Sequence, residues 1–395
     1  MNNDIYWVWV QQALKYSNHK VRTIKRLYSD ISEFYHGGEY EWRLCGCFTN
    51  REIKALNECT LDSAKEIVSQ AYNLGYNIIT LDDEAYPELL LQIFNPPCVL
   101  YAKGDVSLLN SDMPIAVVGT RKASMYGCSL ARDMTKELVL GGATIISGGA
   151  IGIDSIAHET ALDAGGKTIA VLGCGINYPY LPTNEWLRNK IAKKGLIISE
   201  YPPNYPVYSS NFPIRNRIIS GLALGTLVVE AAQKSGSLIT ANFANEQNRD
   251  VFVAPMNSEI SSSEGSMDLI RDGAQVVTSA KEILDEYNSR NKNIKPKKSN
   301  NYAVKDETEQ TSLLTLSGKK DINYIKDDKK DALLLADVSE NAKKIYEVLK
   351  NETMHIDDIA LRVNLPVAKV LSAATELELI GLITSAPGRH YKASR

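Results

Sequence analysis

The fold is decided by the stretch from Ile115 to Ser147, which reads IAVVGTRKASMYGCSLARDMTKELVLGGATIIS. Its two ends, Ile115–Gly119 and Thr144–Ser147, are short and almost continuously apolar, as strands buried on both faces are. Between them, residues 126–140 carry apolar side chains at helical spacing. A strand, a helix and a second strand in this order predict two parallel strands joined by a crossover helix.

The same alternation continues towards the C-terminus. Five further strands are predicted at Thr168–Leu172, Leu196–Ser199, Thr226–Glu230, Val251–Ala254 and Gln275–Thr278. Helical segments accompany them at about 153–164, 184–194, 214–223 and 238–248. We therefore expect residues 111–287 to form an α/β domain with a doubly wound, mostly parallel sheet.

Upstream of this domain the pattern is one of short helices, predicted at Ile5–Lys15, Lys20–Tyr28, Asn50–Asn57 and Leu61–Leu74. We interpret residues 1–75 as a small helical interaction domain of the SAM or helix-hairpin-helix kind. Residues 76–110 follow as a proline-punctuated connector, with strands at Tyr76–Leu81 and Val99–Ala102.

Downstream of the sheet, residues 288–337 are rich in lysine, asparagine and aspartate and show no periodicity, which predicts a disordered linker. Helical periodicity returns in residues 338–395. One helix is predicted at Val338–Leu349, and a helix-turn-helix at Ile356–Val363 and Val367–Leu379. Thr384–Tyr391 has the pattern of a β-wing, so the last segment is predicted to be a winged helix.

The overall composition restricts the function. The net charge is −3, so any nucleic-acid contact must come from a local basic patch. No apolar run approaches the roughly 18 residues that span a bilayer, and no signal peptide is evident, so we expect a cytoplasmic protein without a membrane partner. The six cysteines form no zinc-binding pattern, and we expect reduced thiols and no metal or cofactor.

Two loops after the predicted strands carry anion-binding chemistry, and ligands of such sheets bind outside the carboxyl ends of the strands. The loop after Ile115–Gly119 contains Arg121 and Lys122. The loop after Thr144–Ser147 has glycines that let the backbone approach a ligand, next to free N–H groups of a helix start. Its candidate residues are Ser147, Gly148, Gly149 and Gly152. Neither loop has the GxGxxG or GxxxxGK[ST] pattern, which disfavours a nicotinamide dehydrogenase.

The segment NFPIRNR at residues 211–217 is the most informative. Arginine forks grip phosphate bidentately, and Arg215 and Arg217 lie close together here. Phe212 beside them can stack on a base, which is worth about 1–3 kcal/mol. Two amides accompany them, at Asn211 and Asn216. Another helix start, at Lys234, Ser235, Gly236 and Ser237, adds a cation and N–H donors.

Each of these residues also has a structural interpretation. Arg215 and Arg217 can pair with Glu200 or Glu230, and Phe212 can belong to the core. The three glycines can serve helix–sheet packing. Asp154 can be a helix-start charge and His158 a packing histidine. Several such loops on one sheet edge favour a phosphate-binding crevice.

Seven ordered motifs resemble the DprA/Smf family of bacterial DNA-processing proteins. They are GTRKAS (119–124), SGGAIGIDSIAH (147–158), VLGCG (171–175), ISEYPP (198–203), NFPIRNRIISG (211–221), KSGSLITA (234–241) and LIRDGA (269–274). The resemblance implies an extended Rossmann-like domain that binds single-stranded DNA without chemistry, loading of RecA, and a homodimer. The implied groove residues are Arg121, Lys122, Ser147, Gly148, Gly149, Gly152, Asn211, Phe212, Arg215, Asn216, Arg217, Lys234, Ser235, Gly236 and Ser237. Ile151 stands where the family often has arginine, and Ala254-Pro255-Met256 where it has Val-Pro-Gly.

Two alternatives remain open at this point. A phosphoribohydrolase-like nucleotide enzyme would use a loop glutamate such as Glu230 or Glu200, although its glycine-rich signature is missing. A duplex-DNA regulator would read through the winged helix. Its predicted recognition helix has Lys369 as its cation beside Glu376 and Glu378, and a duplex reader should be more basic. The wing residues Arg389, His390 and Lys392 remain candidates for a weak DNA contact.

Overall fold

The computed structural model describes residues 3–256, 263–292 and, in the C-terminal part, 340–393 without 351–353, 364, 367–368, 371–372, 375–376, 378–381 and 387–389. The chain divides near residue 299 into two compact units. Most of the predicted disordered linker lies outside the described residues. Its first residues, 288–292, continue a helix.

Five helices begin the first unit: α1 (Asp4–Leu14), α2 (Lys20–Leu27), α3 (Ile31–Leu44), α4 (Asn50–Glu58) and α5 (Leu61–Asn73). Helix α3 was not predicted, because Gly38 interrupts its periodicity with a φ of 64° and a kink. A capping box of Thr49 and Glu52 starts α4. Trp7 and Trp9 of α1 are fully buried in the same apolar core as strand residues of the sheet, so helices and sheet form one folding unit.

The sheet has nine strands: β1 (Asn77–Thr80), β2 (Val99–Gly104), β3 (Pro114–Val118), β4 (Thr144–Ser147), β5 (Thr168–Leu172), β6 (Leu196–Ser199), β7 (Gly225–Val228), β8 (Asp250–Val253) and β9 (Gln275–Val276). Their order is β1-β2-β6-β5-β4-β3-β7-β8-β9. Seven neighbouring strands, β6, β5, β4, β3, β7, β8 and β9, are parallel to one another. This confirms the predicted mostly parallel sheet. The segment interpreted as a connector supplies β1 and β2, which extend the sheet: β2 pairs antiparallel with β6, and β1 pairs antiparallel with β2.

Helices cover both faces of the sheet. They are α6 (Glu88–Leu91), α7 (Met125–Leu140), α8 (Ile153–Asp163), α9 (Glu185–Lys194), α10 (Asn211–Gly221), α11 (Gly236–Glu246), α12 (Glu264–Arg271) and α13 (Ala280–Lys292). Alternate strand residues face opposite cores: Val117 packs with α7 and α8, whereas Val118 packs with α10 and α11. Within the described ranges, no helix has both the length and the apolar character needed to cross a membrane.

The strand order creates a topological switch point. The chain runs outward from β3 through β4 and β5 to β6, then returns to place β7 on the other side of β3. The loops that leave β3 and β7 therefore diverge, and a crevice opens at the carboxyl ends of these two strands.

The second unit contains the helices Glu340–Leu349 and Ile356–Val363 and a three-stranded antiparallel sheet. The strands are Met354–His355, Ile383–Ala386 and His390–Ala393. Ile345, Leu349 and Ile359 are buried in its own core. This is the predicted winged-helix arrangement. Much of the predicted recognition helix Val367–Leu379 lies outside the described residues, as does Arg389, one of the residues of the predicted wing.

Candidate functional site

A groove of about 690 Å³ occupies the switch point. Its walls are the loop after β3, the start of α8, helix α10 and the start of α11. The lining residues that can bind a ligand by charge, hydrogen bond or ring contact are Thr120, Arg121, Lys122, Asp154, Ser209, Phe212, Arg215, Asn216, Lys234, Ser235, Gly236, Ser237 and Thr240. The structure thus brings together most of the predicted site on one edge of the sheet.

The groove is positively charged. Arg121, Lys122 and Lys234 line it with exposed side chains, and they form no ion pair within the parts of the chain that the structure describes. Asp154 opposes them but is buried. Unpaired cations on a concave surface bind phosphate oxygens with charge-assisted hydrogen bonds. The groove therefore favours an anionic ligand.

Phe212 lies between two cations of the groove. Its ring centroid is 5.9 Å from the guanidinium of Arg121 and 5.8 Å from that of Arg215. Tyr180 packs on the same ring at 5.2 Å between centroids. Because the side chain is only half-buried, part of the ring is accessible to a ligand. Tyr180 was not among the predicted site residues, although its place in the loop after β5 was a signal for it.

Arg215 forms the floor of the groove and is 4% exposed. Its Nη1 donates to the carbonyls of Gly148, at 2.8 Å, and Val171. Burial lowers the pKa of Arg215, and the charge of Asp154 opposes that shift. Burial raises the pKa of Asp154, and Arg215 opposes that shift in turn. Arg215 therefore ties α10 to the loop after β4 and to strand β5, and acts on a ligand mainly through its charge.

Arg217 does not lie in the groove, contrary to the prediction. It is 1% exposed, and its Nη2 donates to Glu200 Oε1 at 2.6 Å and Oε2 at 2.8 Å. Its Nε donates to Ser17 Oγ at 3.1 Å, so it joins α10 to the N-terminal helices. Residues two apart on a helix point in nearly opposite directions, which is why Arg215 and Arg217 part. We revise the assignment of Arg217 from a phosphate contact to a structural ion pair.

Other predicted residues support the groove from behind. Ser147 is fully buried and donates to the Val117 carbonyl at 2.7 Å. Asn211 donates to the Gly173 carbonyl at 3.1 Å, and Asn216 to the Gly236 carbonyl at 3.1 Å. Ser147 and Asn211 are outside the groove lining, whereas Asn216 joins α10 to the start of α11.

The predicted glycines act through close packing. A Cβ on Gly148 would lie 2.7 Å from Arg215 Nη2. Gly152 has a φ of 85°, and a Cβ there would lie 2.4 Å from the Thr120 carbonyl oxygen. Gly149 also has a positive φ, of 68°. None of the three is part of the groove lining, but Gly148 and Gly152 let neighbouring loops approach closely enough to form it.

The start of α11 faces the groove. Ser235 caps the helix, accepting a hydrogen bond from Ser237 N at 3.3 Å, and its hydroxyl contacts that of Ser237 at 2.7 Å. Gly236 is exposed between them. The remaining N–H groups of this helix start and its macrodipole add to the attraction for anions.

Two glutamates considered for an enzymatic mechanism have structural contacts instead. Glu200 pairs with Arg217. Glu230 is fully buried, and its Oε2 accepts from Ser124 N at 3.0 Å and Ser124 Oγ at 2.9 Å at the start of α7. Neither carboxylate is part of the groove lining.

The chain matches known protein families over most of its described length. Residues 77–288 match the family model of DNA recombination-mediator protein A, and residues 329–389 match the DprA winged helix domain. Protein Smf from Synechocystis is 37% identical over 80% of this chain and 79% of that protein. The DNA processing protein DprA from Bacillus subtilis is 42% identical over 55% of this chain and 73% of that protein.

Solved structures agree with these matches. DNA processing protein A from Streptococcus pneumoniae has a TM-score of 0.55 at 32% identity, covering 72% of this chain and 98% of that one. DNA processing protein A from Helicobacter pylori, whose structure is described as giving its single-stranded DNA binding mode, has a TM-score of 0.50 at 30% identity. That comparison covers 54% of this chain and 97% of the other.

Proposed function

The chain belongs to the DprA/Smf family of DNA recombination-mediator proteins, and on this premise we propose that its groove binds single-stranded DNA. The observation that carries the proposal is the half-buried Phe212 ring, which lies between two guanidinium groups in a groove of unpaired cations. A polymer that alternates phosphates with flat bases matches this alternation of charge and ring. The single-stranded DNA binding mode described for the relative from Helicobacter pylori supports the same ligand.

In this proposal Arg121, Lys122 and Lys234 contact phosphates, because their charged groups are exposed and unpaired within the described residues. Phe212 stacks on a base, and the start of α11 donates N–H groups to a phosphate. Every base has a π-face, so binding is largely independent of sequence. Arg215 and Asn216 hold the groove in shape.

Fluorescence anisotropy with single-stranded and duplex oligonucleotides tests this function. We expect the single strand to bind more tightly, and the logarithm of its affinity to fall with the logarithm of salt at a slope of about −2 for three phosphates. Phe212→Ala should weaken binding about 5- to 150-fold, the value of one stacked base, whereas Phe212→Tyr should retain it. Lys136→Ala, which removes an exposed cation of α7 outside the groove, should bind the single strand as the wild type does. Equal affinity for duplex, or no effect of Phe212→Ala, would contradict the proposal.

The finer function is loading of RecA onto the bound strand by a homodimer. The description of the family as a recombination mediator supports the first part of this proposal, the loading of RecA; the second part is the homodimer. For the second, β9 pairs with β8 and has exposed residues, including Val276 at 40%, so this sheet edge is available to a second copy. We also propose that the protein acts without turnover, in the cytoplasm. RecA filament formation on strands coated with this protein tests the loading of RecA. Sedimentation of Val276→Lys tests the homodimer, and an assay for base release from nucleotides tests the absence of turnover.

A further inference from the structure

A second cavity, of about 260 Å³, lies at the antiparallel edge of the sheet. Lys103 on β2 and Arg188 on α9 contribute its two cations, and Glu185 in the first turn of α9 is its acid. Tyr76 and Tyr178 add ring surface, and Asn189 an amide. The charge of this lining is therefore net positive, as in the groove at the switch point.

The two cations of this cavity form no ion pair with any residue that the structure describes. Nη1 of Arg188 is buried and has no hydrogen-bond partner among the residues that the structure describes. Lys103 forms no ion pair there either, and its Nζ lies 5.4 Å from the centroid of the Tyr76 ring. Nη1 of Arg217 also has no partner among the described residues, but Arg217 is enclosed in the core, whereas Arg188 lines a cavity that an anion can enter. A bound anion would supply the missing acceptor.

One loop joins the second cavity to the groove. Tyr178 lines the second cavity, and Tyr180, two residues along the chain, packs on Phe212 in the groove. Two residues span at most about 7 Å of extended chain. The two sites therefore share one short loop, and a strand that follows this loop from the Phe212 ring approaches the second cavity.

We propose that the second cavity binds a phosphate of the same single strand, beyond the segment held in the groove. This inference rests on the proposed function of the groove and extends the DNA path across residues 176–182 towards β2. Lys103 and Arg188 contact the phosphate, and Glu185 opposes it. The cavity thus adds affinity for long strands and none for strands too short to reach it.

The test compares two oligonucleotides, one of about 6 nucleotides and one of about 16, within the range of known single-strand site sizes. The variants are Arg188→Gln and Lys103→Gln, which retain length and polarity. We expect each to weaken the long strand about tenfold, as a charged hydrogen bond does, and to leave the short strand unchanged. The salt slope for the long strand should become shallower by about 0.7 with each variant. Glu185→Gln should strengthen long-strand binding, which a misfolded variant would not do.

Lys193→Ala is the matched control, because Lys193 is an exposed cation on the same helix and outside the cavity. If the wild type binds both strands and the variants bind the long strand equally well, the second cavity holds no DNA, and the groove function still stands. If the wild type binds neither strand, the groove proposal itself fails. If the variants instead lose affinity for thymidine monophosphate alone, the occupant is a free nucleotide and the continued DNA path is overturned.

Discussion

Replacing Arg217 by methionine should destabilise the protein without removing a DNA contact. The side chains of Arg217 and Glu200 are 1% and 3% exposed, and Nη2 contacts Oε1 at 2.6 Å. Removing one partner of such a buried pair leaves an uncompensated charge and costs about 3–5 kcal/mol. Because the Arg217 side chain does not reach the groove, the folded variant should bind single-stranded DNA as the wild type does.

A double variant distinguishes the effect of the charges of this ion pair from the effect of the volume that its two side chains fill. Arg217→Met with Glu200→Leu removes both charges, and replacing a buried pair by apolar residues is often neutral or stabilising by about 1–4 kcal/mol. Ser17 loses its contacts with both partners, since its N–H donates to Glu200 Oε1 and its hydroxyl accepts from Arg217. We therefore expect the double variant to be more stable than Arg217→Met and close to the wild type.

Urea unfolding followed by tryptophan fluorescence measures these free energies for the first unit alone. All four tryptophans, at positions 7, 9, 42 and 186, lie in that unit. Oligonucleotide binding is measured on the same samples in the absence of urea. If Arg217→Met unfolds at the wild-type urea concentration and binds DNA more weakly, Arg217 contacts the ligand and the reasoning from the buried pair is refuted.

Three further predictions concern stability. Burial lowers the pKa of His158 from 6.5 to about 3, so the unfolded chain binds the proton more readily and stability falls as the pH drops below 6.5. Between pH 7 and pH 5, the free energy of unfolding of His158→Gln should rise by about 2 kcal/mol relative to that of the wild type, as measured by urea titrations. The same pH dependence of stability in both proteins would contradict this. Gly152→Ala should lower the free energy of unfolding by about 1–3 kcal/mol, because its φ of 85° strains any side chain. The control is Gly142→Ala, where φ is 92° but a Cβ meets open space. Equal Tm values for the two variants would show that the contact with the Thr120 carbonyl adds nothing. Ser124→Ala removes the cap of α7 and a donor to the buried Glu230, so the free energy of unfolding should fall by about 2–3 kcal/mol. For the control Ser129→Ala, at an exposed position of the same helix, the loss should be less than about 0.5 kcal/mol. Similar losses in both variants would refute the role of Glu230.

The strands were more predictable than the helices. β4, β5 and β6 have the bounds that the sequence predicts, because strands buried on both faces are continuous apolar runs. Helix α10 begins at Asn211, three residues before its predicted start, because Pro213 is compatible with the first turn of a helix although it reads as an interruption. The pairing of β2 with β6 joins segments far apart in the chain, and local patterns carry no information about such partners.

The candidate site was predictable as a set of loops and less so as individual side chains. The positions of Arg121, Lys122 and Lys234 follow from the rule that loops at the carboxyl ends of parallel strands converge. The separation of Arg215 from Arg217 depends on what packs against each face of α10, which involves Gly148 on one side and Glu200 on the other. Those partners directly follow β4 and β6, far from α10 in the chain, so the sequence near α10 cannot distinguish the two arginines.

The strand order also determines when the protein can fold during synthesis. β3 ends at Val118, but its neighbour β7 begins only at Gly225. In the same way, β2 ends at Gly104, and the strand β6 that pairs with it begins only at Leu196. A nascent chain that has left the ribosome up to β5 therefore exposes apolar strands whose partners are not yet made. Such an intermediate is a natural client for chaperones, and the groove can form only after the ribosome has passed the start of α11.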